Sequence, residues 1–191
     1  MLRLRTPTPA TWLPAVLDDL DAFLQDHAAN ERKASASAMT LAVQYPERRA
    51  LVGAMVELAR EEMEHFVRVY AVLVARGQTL APDWPDPYMG ALMRHLRKGN
   101  VTHYLVDRLL VFGIVEARSC ERFTLLAANL PDAGLRALYD NLLLAEARHH
   151  ALFVRLAHDI MPAKTVGRRL DELLEAEAHI VASLPARAAV H

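Results

Sequence analysis

Two four-residue stretches decide the fold of this chain: Glu62-Met63-Glu64-His65 and Glu146-Ala147-Arg148-His149. In each, a glutamate precedes a histidine by three positions, which puts both side chains on one face of an α-helix with Cβ atoms about 5–6 Å apart. The same face is otherwise mostly apolar, with Leu58 and Val69 beside the first pair and Leu142 beside the second. A charged pair on such a face is costly unless a partner neutralises it, and a bound metal ion would do so.

A second glutamate accompanies each pair at nearly the same distance along the chain. Glu31 lies 31 positions before Glu62, and Glu116 lies 30 positions before Glu146. The sequence thus contains the same half-site twice: a single glutamate on one predicted helix and a Glu-x-x-His pair on the next, about 30 positions later. Two single glutamates and two such pairs, projecting inward from four helices, form the carboxylate-bridged dimetal site of ferritin-like bundles. The predicted metal ligands are Glu31, Glu62, His65, Glu116, Glu146 and His149.

Prolines, glycines and capping residues divide the chain into long helices. The sequence predicts four helices of about 30 residues, roughly 45 Å each, at about 11–45, 46–77, 100–129 and 132–160. A crossover with a short helix at 88–98 separates the second from the third, and an amphipathic helix follows at 165–183. This order predicts an all-α, ferritin-like four-helix bundle with a crossover connection and an additional C-terminal helix. We expect a single domain, 1–191, with its core bundle at about 11–161.

The composition agrees with a folded helical protein, since 53% of the residues are hydrophobic and 24% are charged. A formal net charge of −1 does not indicate a nucleic-acid partner. The only cysteine, Cys120, excludes an internal disulfide and any two-cysteine site, and is typical of a reducing cytoplasm. The longest apolar stretch, 105–115, is interrupted by Asp107 and Arg108, so we expect no membrane span.

The donor set favours iron. Carboxylates with one imidazole per ion suit iron or manganese better than zinc or copper. Position 61 is glutamate rather than the first histidine of a His-Glu-x-x-His zinc protease. Iron is preferred because the open positions of such a site can bind and reduce dioxygen. The candidates for residues that orient the ligands are His27, Glu61, Asp107, Cys120 and Tyr139, and we expect His150 at the surface.

Longer segments around these ligands resemble one family. They are residues 26–34 (Asp-His-Ala-Ala-Asn-Glu-Arg-Lys-Ala), 58–66 (Leu-Ala-Arg-Glu-Glu-Met-Glu-His-Phe), 116–123 (Glu-Ala-Arg-Ser-Cys-Glu-Arg-Phe) and 146–149 (Glu-Ala-Arg-His). Over about residues 13–161 the chain resembles the tRNA 2-methylthio-N6-isopentenyladenosine hydroxylases, and the segment 116–123 is the most specific. The resemblance implies two iron ions held by the six ligands above. It also implies dioxygen as co-substrate and hydroxylation of the isopentenyl group beside the anticodon.

The resemblance further implies two partners, a tRNA substrate and an electron donor. We expect a separate reductase or ferredoxin, because no flavin or nicotinamide fingerprint is present. A modified base in a single-stranded loop can be splayed out into a pocket. The candidates for phosphate contacts are Arg94, Arg97, Lys98, Arg118 and Arg122; the alternative for each is an ordinary solvated or ion-paired side chain.

Three other functions fit the same helical pattern. A ferroxidase or iron-storage protein would load more than about two iron ions per chain, or assemble into a hollow shell. A dimanganese catalase would disproportionate peroxide, and a metal-free interaction bundle would contain no metal. The doubled Glu-x-x-His pair favours oxygen activation over storage.

Overall fold

The computed structural model describes residues 4–191, and all regular structure in this range is α-helical. The prediction of an all-α chain is therefore confirmed. The described helices are α1 (Trp12–Asp18), α2 (Leu20–Gln44), α3 (Arg49–Ala75), α4 (Pro87–Met93), α5 (Val101–Asn129), α6 (Ala133–Ile160) and α7 (Ala163–Ser183). They belong to two compact units. The α2–α3 unit comprises residues 14–84 and 187–190, and the α4–α7 unit comprises the described residues through 13, residues 85–186 and His191. The expectation of a single domain stays a prediction.

The α2–α3 unit is a helical hairpin. The two helices pack against each other, and the connection after Tyr45 is short because Pro46 cannot continue α2. Buried residues of α3 recur every three or four positions, as an amphipathic helix requires. Within the interface, Ser35 Oγ donates a 2.7 Å hydrogen bond to the backbone oxygen of Ala59. This bond fixes the register of α2 against α3.

The predicted helix at 11–45 is interrupted once, so the prediction of one continuous helix is wrong. Asp19 leaves the helical conformation, with φ −139° and ψ 70°. Its carboxylate accepts a hydrogen bond of 3.0 Å from the N–H of Ala22. An aspartate in this position pairs one of the donors that a helix start leaves without an intrahelical partner. The break therefore depends on a side-chain cap rather than on a proline or glycine.

The crossover begins where the sequence predicts it. Gly77 has φ 74°, a left-handed conformation that favours glycine and ends α3. The short helix α4 is shorter than predicted, ending at Met93 rather than 98. After Met93 the N–H groups of residues 94–96 bond to carbonyls three residues back rather than four. The N–H of Arg97 then donates to the carboxylate of Asp107 at 2.8 Å instead of to a helix carbonyl.

In the α4–α7 unit, α5 is the central helix. It contacts α4, α6 and α7, and most of its residues between Leu105 and Phe123 are buried. The helix starts are capped by Asn100 for α5 and Asp132 for α6, whose side chains accept from backbone N–H groups. Because α5 is covered on most of its faces, several of its charged residues lie in the interior.

The last helix, α7, agrees with the amphipathic helix predicted at 165–183, and it begins two residues earlier. Its buried face is apolar except for Glu177, whose exposed fraction is 0%. None of the helices in the described part of the chain is both long and apolar enough to cross a bilayer.

Candidate metal centre

Three of the predicted ligands meet in the α2–α3 unit. Glu31 projects from α2, and Glu62 and His65 project from α3; their exposed fractions are 6%, 1% and 6%. His65 Nδ1 lies 3.3 Å from Glu62 Oε2 and 3.6 Å from Glu31 Oε2. One ligand atom from each residue lies within 4.8 Å of the others. The hairpin therefore brings two carboxylates and one imidazole to a single buried point.

One oxygen of the Glu31 carboxylate is hydrogen-bonded to His27. His27 lies one turn earlier on α2 and is 1% exposed. Its Nε2 is 2.6 Å from Glu31 Oε1, while the other oxygen, Oε2, faces His65. The ring of His27 packs against Phe23, with centroids 5.9 Å apart. This arrangement leaves one oxygen of Glu31 for an ion and fixes the other, which is how residues around metal ligands orient them.

The other three predicted ligands meet in the α4–α7 unit. Glu116 projects from α5, and Glu146 and His149 project from α6; their exposed fractions are 8%, 3% and 3%. His149 Nδ1 lies 3.5 Å from Glu146 Oε2, and one ligand atom from each of the three lies within 4.8 Å of the others. This half-site has the same donors as the first, in the same arrangement of one helix supplying a glutamate and the next supplying Glu-x-x-His.

Gly113 and His150 bring α5 and α6 together beside Glu116. The backbone oxygen of Gly113 is 2.7 Å from His150 Nδ1. A Cβ at position 113 would lie 3.4 Å from the Cβ of Phe153, so a larger residue would press on α6. His150 is 8% exposed, and its predicted surface position is wrong. His150 directly follows the predicted ligand His149 in the sequence. The facing Gly113 has no side chain, and this was the sequence signal for the burial of His150.

Both half-sites fit a divalent metal ion by their chemistry. Atoms that bind one ion at about 2.1 Å lie roughly 3.0–3.4 Å apart at neighbouring positions. The nitrogen–oxygen separations of 3.3, 3.5 and 3.6 Å are close to these values and longer than an ordinary N–H···O hydrogen bond. Two carboxylates buried at one point repel each other unless a cation lies between them. The set of oxygen donors with one imidazole suits iron or manganese.

Two candidates for orienting residues lie in the α4–α7 unit near these ligands. Cys120 is buried one turn after Glu116, and its thiol donates to the backbone oxygen of Leu143 at 3.7 Å. Burial, with a contribution from the negative charge of Glu146, raises the pKa of the Cys120 thiol to about 12. Tyr139 is fully buried against Phe123, with ring centroids 5.2 Å apart. The thiol therefore fills space beside the half-site, and its raised pKa favours the neutral form.

The remaining two candidates have other surroundings. Asp107 is 0% exposed, and its carboxylate accepts hydrogen bonds from the guanidinium groups of Arg97 and Arg169. Burial alone would raise the pKa of Asp107, and these two arginines reverse that effect and lower the pKa. Glu61, next to the predicted ligand Glu62, is half-buried. Asp107 therefore holds arginines, and no contact of the described residues links it to an imidazole.

The five arginines and lysines predicted to contact tRNA fall into two groups. Arg94 and Lys98 are exposed after α4, and Arg97 is half-buried on Asp107. Arg118 is 0% exposed and Arg122 is 6% exposed, so neither lies on a surface that phosphates can reach. Arg118 donates to Glu121 and Glu177, and the Arg122 guanidinium lies 5.0 Å from the ring centroid of Trp12. The ion-paired alternative is thus the one that the geometry supports for Arg118.

Glu177 is a residue that sequence reasoning missed. It accepts hydrogen bonds from Tyr88 Oη at 3.1 Å and from two nitrogens of Arg118 at 2.9 and 3.0 Å. Its position between Leu173, Leu174 and Ile180 on the buried face of α7 was visible as an acidic residue on an apolar stripe. The buried pair joins α7 to α5 two residues after the predicted ligand Glu116.

A family model and two named relatives assign this chain to the same family. The family model "MiaE: tRNA-(MS[2]IO[6]A)-hydroxylase (MiaE)" matches residues 2–191. A Pseudomonas putida protein named tRNA 2-(methylsulfanyl)-N(6)-isopentenyladenosine(37) hydroxylase is 36% identical over 177 residues, covering 93% of this chain and 85% of that protein. A Salmonella typhimurium protein of the same name is 35% identical over 161 residues, covering 83% of this chain and 57% of that protein.

A solved structure extends the comparison to the fold. It is described as "Protein 43 with aldehyde deformylating oxygenase activity from Synechococcus", with 37% sequence identity and a TM-score of 0.94 over 100% of this chain and 96% of that one. That protein has the ferritin-like fold, which confirms the predicted fold class. The hydroxylase family model matches nearly the whole chain, and the two named relatives are 36% and 35% identical to it. This chain therefore belongs to the MiaE family of tRNA hydroxylases.

Proposed function

We propose that this chain is a di-iron monooxygenase that uses dioxygen to hydroxylate the isopentenyl group of 2-methylthio-N6-isopentenyladenosine in tRNA, next to the anticodon. The single observation that carries the proposal is the duplicated half-site. Each unit buries two carboxylates and one imidazole at one point, in a chain whose family and relatives bear the names of this hydroxylase. The activity itself requires that the two half-sites hold one iron ion each.

The proposed iron ligands are Glu31, Glu62, His65, Glu116, Glu146 and His149. Their four carboxylates balance the charge of two divalent ions, which makes burial of the acidic groups affordable. When bound, the ions supply the reduction and activation of dioxygen. The chain's own contribution is geometric. His27 keeps one oxygen of Glu31 in place, and the buried neutral thiol of Cys120 helps to exclude water without adding charge.

The RNA side of the proposal rests on the family and on exposed basic residues. An anticodon-loop base is unpaired and can be turned out into a protein pocket without melting a duplex. Arg94, Arg97 and Lys98, after α4, are the proposed phosphate contacts, while the burial of Arg118 and Arg122 removes them from that role. An external ferredoxin or reductase is the proposed electron donor. The proposed location is the cytoplasm, which a tRNA substrate supports.

The test of the site is metal analysis with paired variants. Glu116→Ala and His149→Ala each remove one proposed ligand, and we expect loss of stable iron binding and of turnover while the far-ultraviolet circular dichroism stays helical. The matched controls are Glu64→Ala on α3 and His158→Ala on α6, both exposed residues. These controls should keep two iron ions per chain. Retained iron and activity in both ligand variants would contradict the assignment.

The test of the substrate is mass spectrometry of tRNA nucleosides from cells that lack this chain. We expect the hydroxylated nucleoside to disappear and its unhydroxylated precursor to accumulate. An unchanged ratio would exclude the reaction. The same purified protein distinguishes the alternatives: iron far above two per chain indicates storage, and peroxide disproportionation by a manganese form indicates a catalase. Deformylation of an aldehyde would indicate the activity named for the Synechococcus protein.

A further inference from the structure

Trp84 is the most exposed large hydrophobic side chain in the described part of the chain. Its exposed fraction is 75%, whereas the other tryptophan, Trp12, is 2% exposed. Trp84 lies on the crossover between α3 and α4. Tryptophan is usually largely buried, and an exposed aromatic ring often marks a binding surface. The exposed ring of Trp84 is therefore available for contact with a binding partner.

The backbone that carries Trp84 is fixed to α2 at several points. Gln25 Nε2 donates to the oxygen of Thr79 at 2.6 Å, and Gln25 Oε1 accepts from the N–H of Ala81 at 3.0 Å. Lys33 Nζ donates to the backbone oxygen of Trp84 itself at 3.3 Å. Prolines at positions 82 and 85 restrict the segment further. The ring is thus presented from a defined backbone position.

Two cations lie beside this segment. Arg32 forms an ion pair with Asp83, and Lys33 follows it on α2. The hydrogen bond from Arg32, with the charge of Lys33 added, lowers the pKa of Asp83. Arg32 is paired with Asp83, and Lys33, bonded to the backbone oxygen of Trp84, is a second cation at this segment. An exposed aromatic ring with neighbouring cations is how proteins hold unpaired nucleotides, the base stacking on the ring and the phosphate lying near the cations.

The surface is also next to the half-site of the same unit. Arg32 and Lys33 directly follow the proposed ligand Glu31 on α2. At a rise of about 1.5 Å per residue, they lie within one helical turn of it. The basic side chains beside Trp84 and the proposed ligand Glu31 are therefore carried by the same turn of α2.

We propose that Trp84 is a stacking platform for an unpaired base of the tRNA anticodon loop, with Lys33 beside the adjoining phosphate. This inference rests on the proposed function, because it takes the tRNA loop as the substrate. It assigns a binding residue in the crossover, outside the metal ligands and outside the basic group after α4.

The experiment uses the full-length protein and a synthetic anticodon stem-loop RNA, with tryptophan fluorescence and the dissociation constant as readouts. Since Trp12 is buried, stacking of a base on Trp84 should quench the fluorescence of the wild type, and Trp84→Phe should remove this quenching. We expect Trp84→Ala to bind the stem-loop about 5- to 150-fold more weakly, because base stacking contributes about 1–3 kcal/mol. Trp84→Phe should keep part of the affinity, since it keeps a ring.

Several controls make the result decisive. The melting temperature of Trp84→Ala should equal that of the wild type, because the side chain is exposed. A perfectly paired RNA duplex of equal length should bind without quenching. Lys33→Gln should weaken binding and lower its dependence on salt concentration, as expected for one lost phosphate contact. Val43→Ala, another exposed apolar residue of α2 at 73% exposure, should leave binding unchanged.

Three outcomes would overturn the inference: wild-type affinity in Trp84→Ala, no quenching at saturating stem-loop, or equal quenching by the duplex. If Trp84→Ala instead loses the ability to accept electrons from a ferredoxin while binding RNA normally, the surface serves a protein partner and the inference is wrong. Failure of the proposed function is distinguishable, because then the wild type would not hydroxylate the stem-loop at all, whatever Trp84 contacts.

Discussion

Replacing Arg118 by methionine should destabilise the protein more than any exposed ion-pair change. Arg118 and Glu177 are both 0% exposed. The guanidinium donates from Nε to Glu177 Oε1 at 2.9 Å and from Nη2 to Glu177 Oε2 at 3.0 Å, and it also contacts Glu121, Thr8 and the backbone of Thr6. Burial is the largest influence and lowers the pKa of Arg118, but the charges of Glu177, Tyr88 and Glu121 and the hydrogen bond to Glu177 together outweigh it, and the net shift is upward. Burial raises the pKa of Glu177, and the charge and hydrogen bonds of Arg118 oppose that rise, so each partner stabilises the charged form of the other.

The magnitude follows from what the substitution leaves behind. In Arg118→Met, Glu177 keeps only the hydrogen bond from Tyr88 among its contacts described above, and a carboxylate remains buried without its counter-charge. Removing one partner of a buried ion pair costs about 3–5 kcal/mol. For a protein of this size, each kcal/mol lowers the melting temperature by about 2–4 °C. We therefore expect the melting temperature to fall by roughly 6–20 °C. The free-energy cost itself is a large part of a typical total stability of about 5–15 kcal/mol.

The assay is urea unfolding followed by circular dichroism, with two comparison variants. Asp171→Asn removes the exposed pair with Arg5, whose side chains are 48% and 66% exposed, and should cost less than about 1 kcal/mol. The double variant Arg118→Met with Glu177→Leu should recover much of the loss, because an apolar pair avoids burying a lone charge. The reasoning is refuted if Arg118→Met costs no more than Asp171→Asn, or if the double variant is no more stable than Arg118→Met.

Three further predictions test other parts of the structure. The thiol of Cys120, buried and with its pKa raised to about 12, should resist alkylation in the native protein and react on unfolding; fast native labelling would contradict its placement. Replacing His27 by phenylalanine removes the hydrogen-bonding partner of Glu31, so ferrous titration should show about 10- to 100-fold weaker iron binding in that half-site. Asp107→Asn should destabilise the protein by about 1–3 kcal/mol near neutral pH, because hydrogen bonds to charged groups such as Arg169 are lost. The folded-state pKa of Asp107 is lowered from 3.8. The difference in the free energy of unfolding between wild type and variant should therefore have its maximum above that pH and shrink as the pH falls below it. A difference that grows on acidification would refute this prediction.

The helical spacing of the sequence predicted much of this architecture correctly. Glu-x-x-His on an apolar face requires a helix that buries both side chains, because only a period of 3.6 residues aligns positions three apart. The repetition of that pattern with a glutamate one helix earlier predicted two hairpins, and each hairpin brings its three residues together. That the six residues bind iron stays a prediction.

Local caps and competing hydrogen bonds set boundaries that periodicity could not. Asp19 interrupts the first helix by accepting from the N–H of Ala22, and Asp107 keeps Arg97 out of any continuation of α4 by accepting from its N–H. In the first case the acceptor is a neighbour in sequence, and in the second it lies ten residues away. Whether a side chain takes an N–H away from a helix carbonyl depends on where that side chain lies in the folded structure. Helix propensities do not include this information.

By itself, the sequence determined the helical class, the family and the two sets of candidate ligands, because these depend on residue types at fixed spacing along a helix. Only the tertiary structure decided which charged residues face inward. Arg118 and Arg122 look like solvent-exposed cations in a linear reading, yet packing of α4, α6 and α7 around α5 buries both. Burial depends on neighbours that are distant in sequence, and Glu177 on α7, 59 residues away, is the counter-charge that makes the interior position of Arg118 stable.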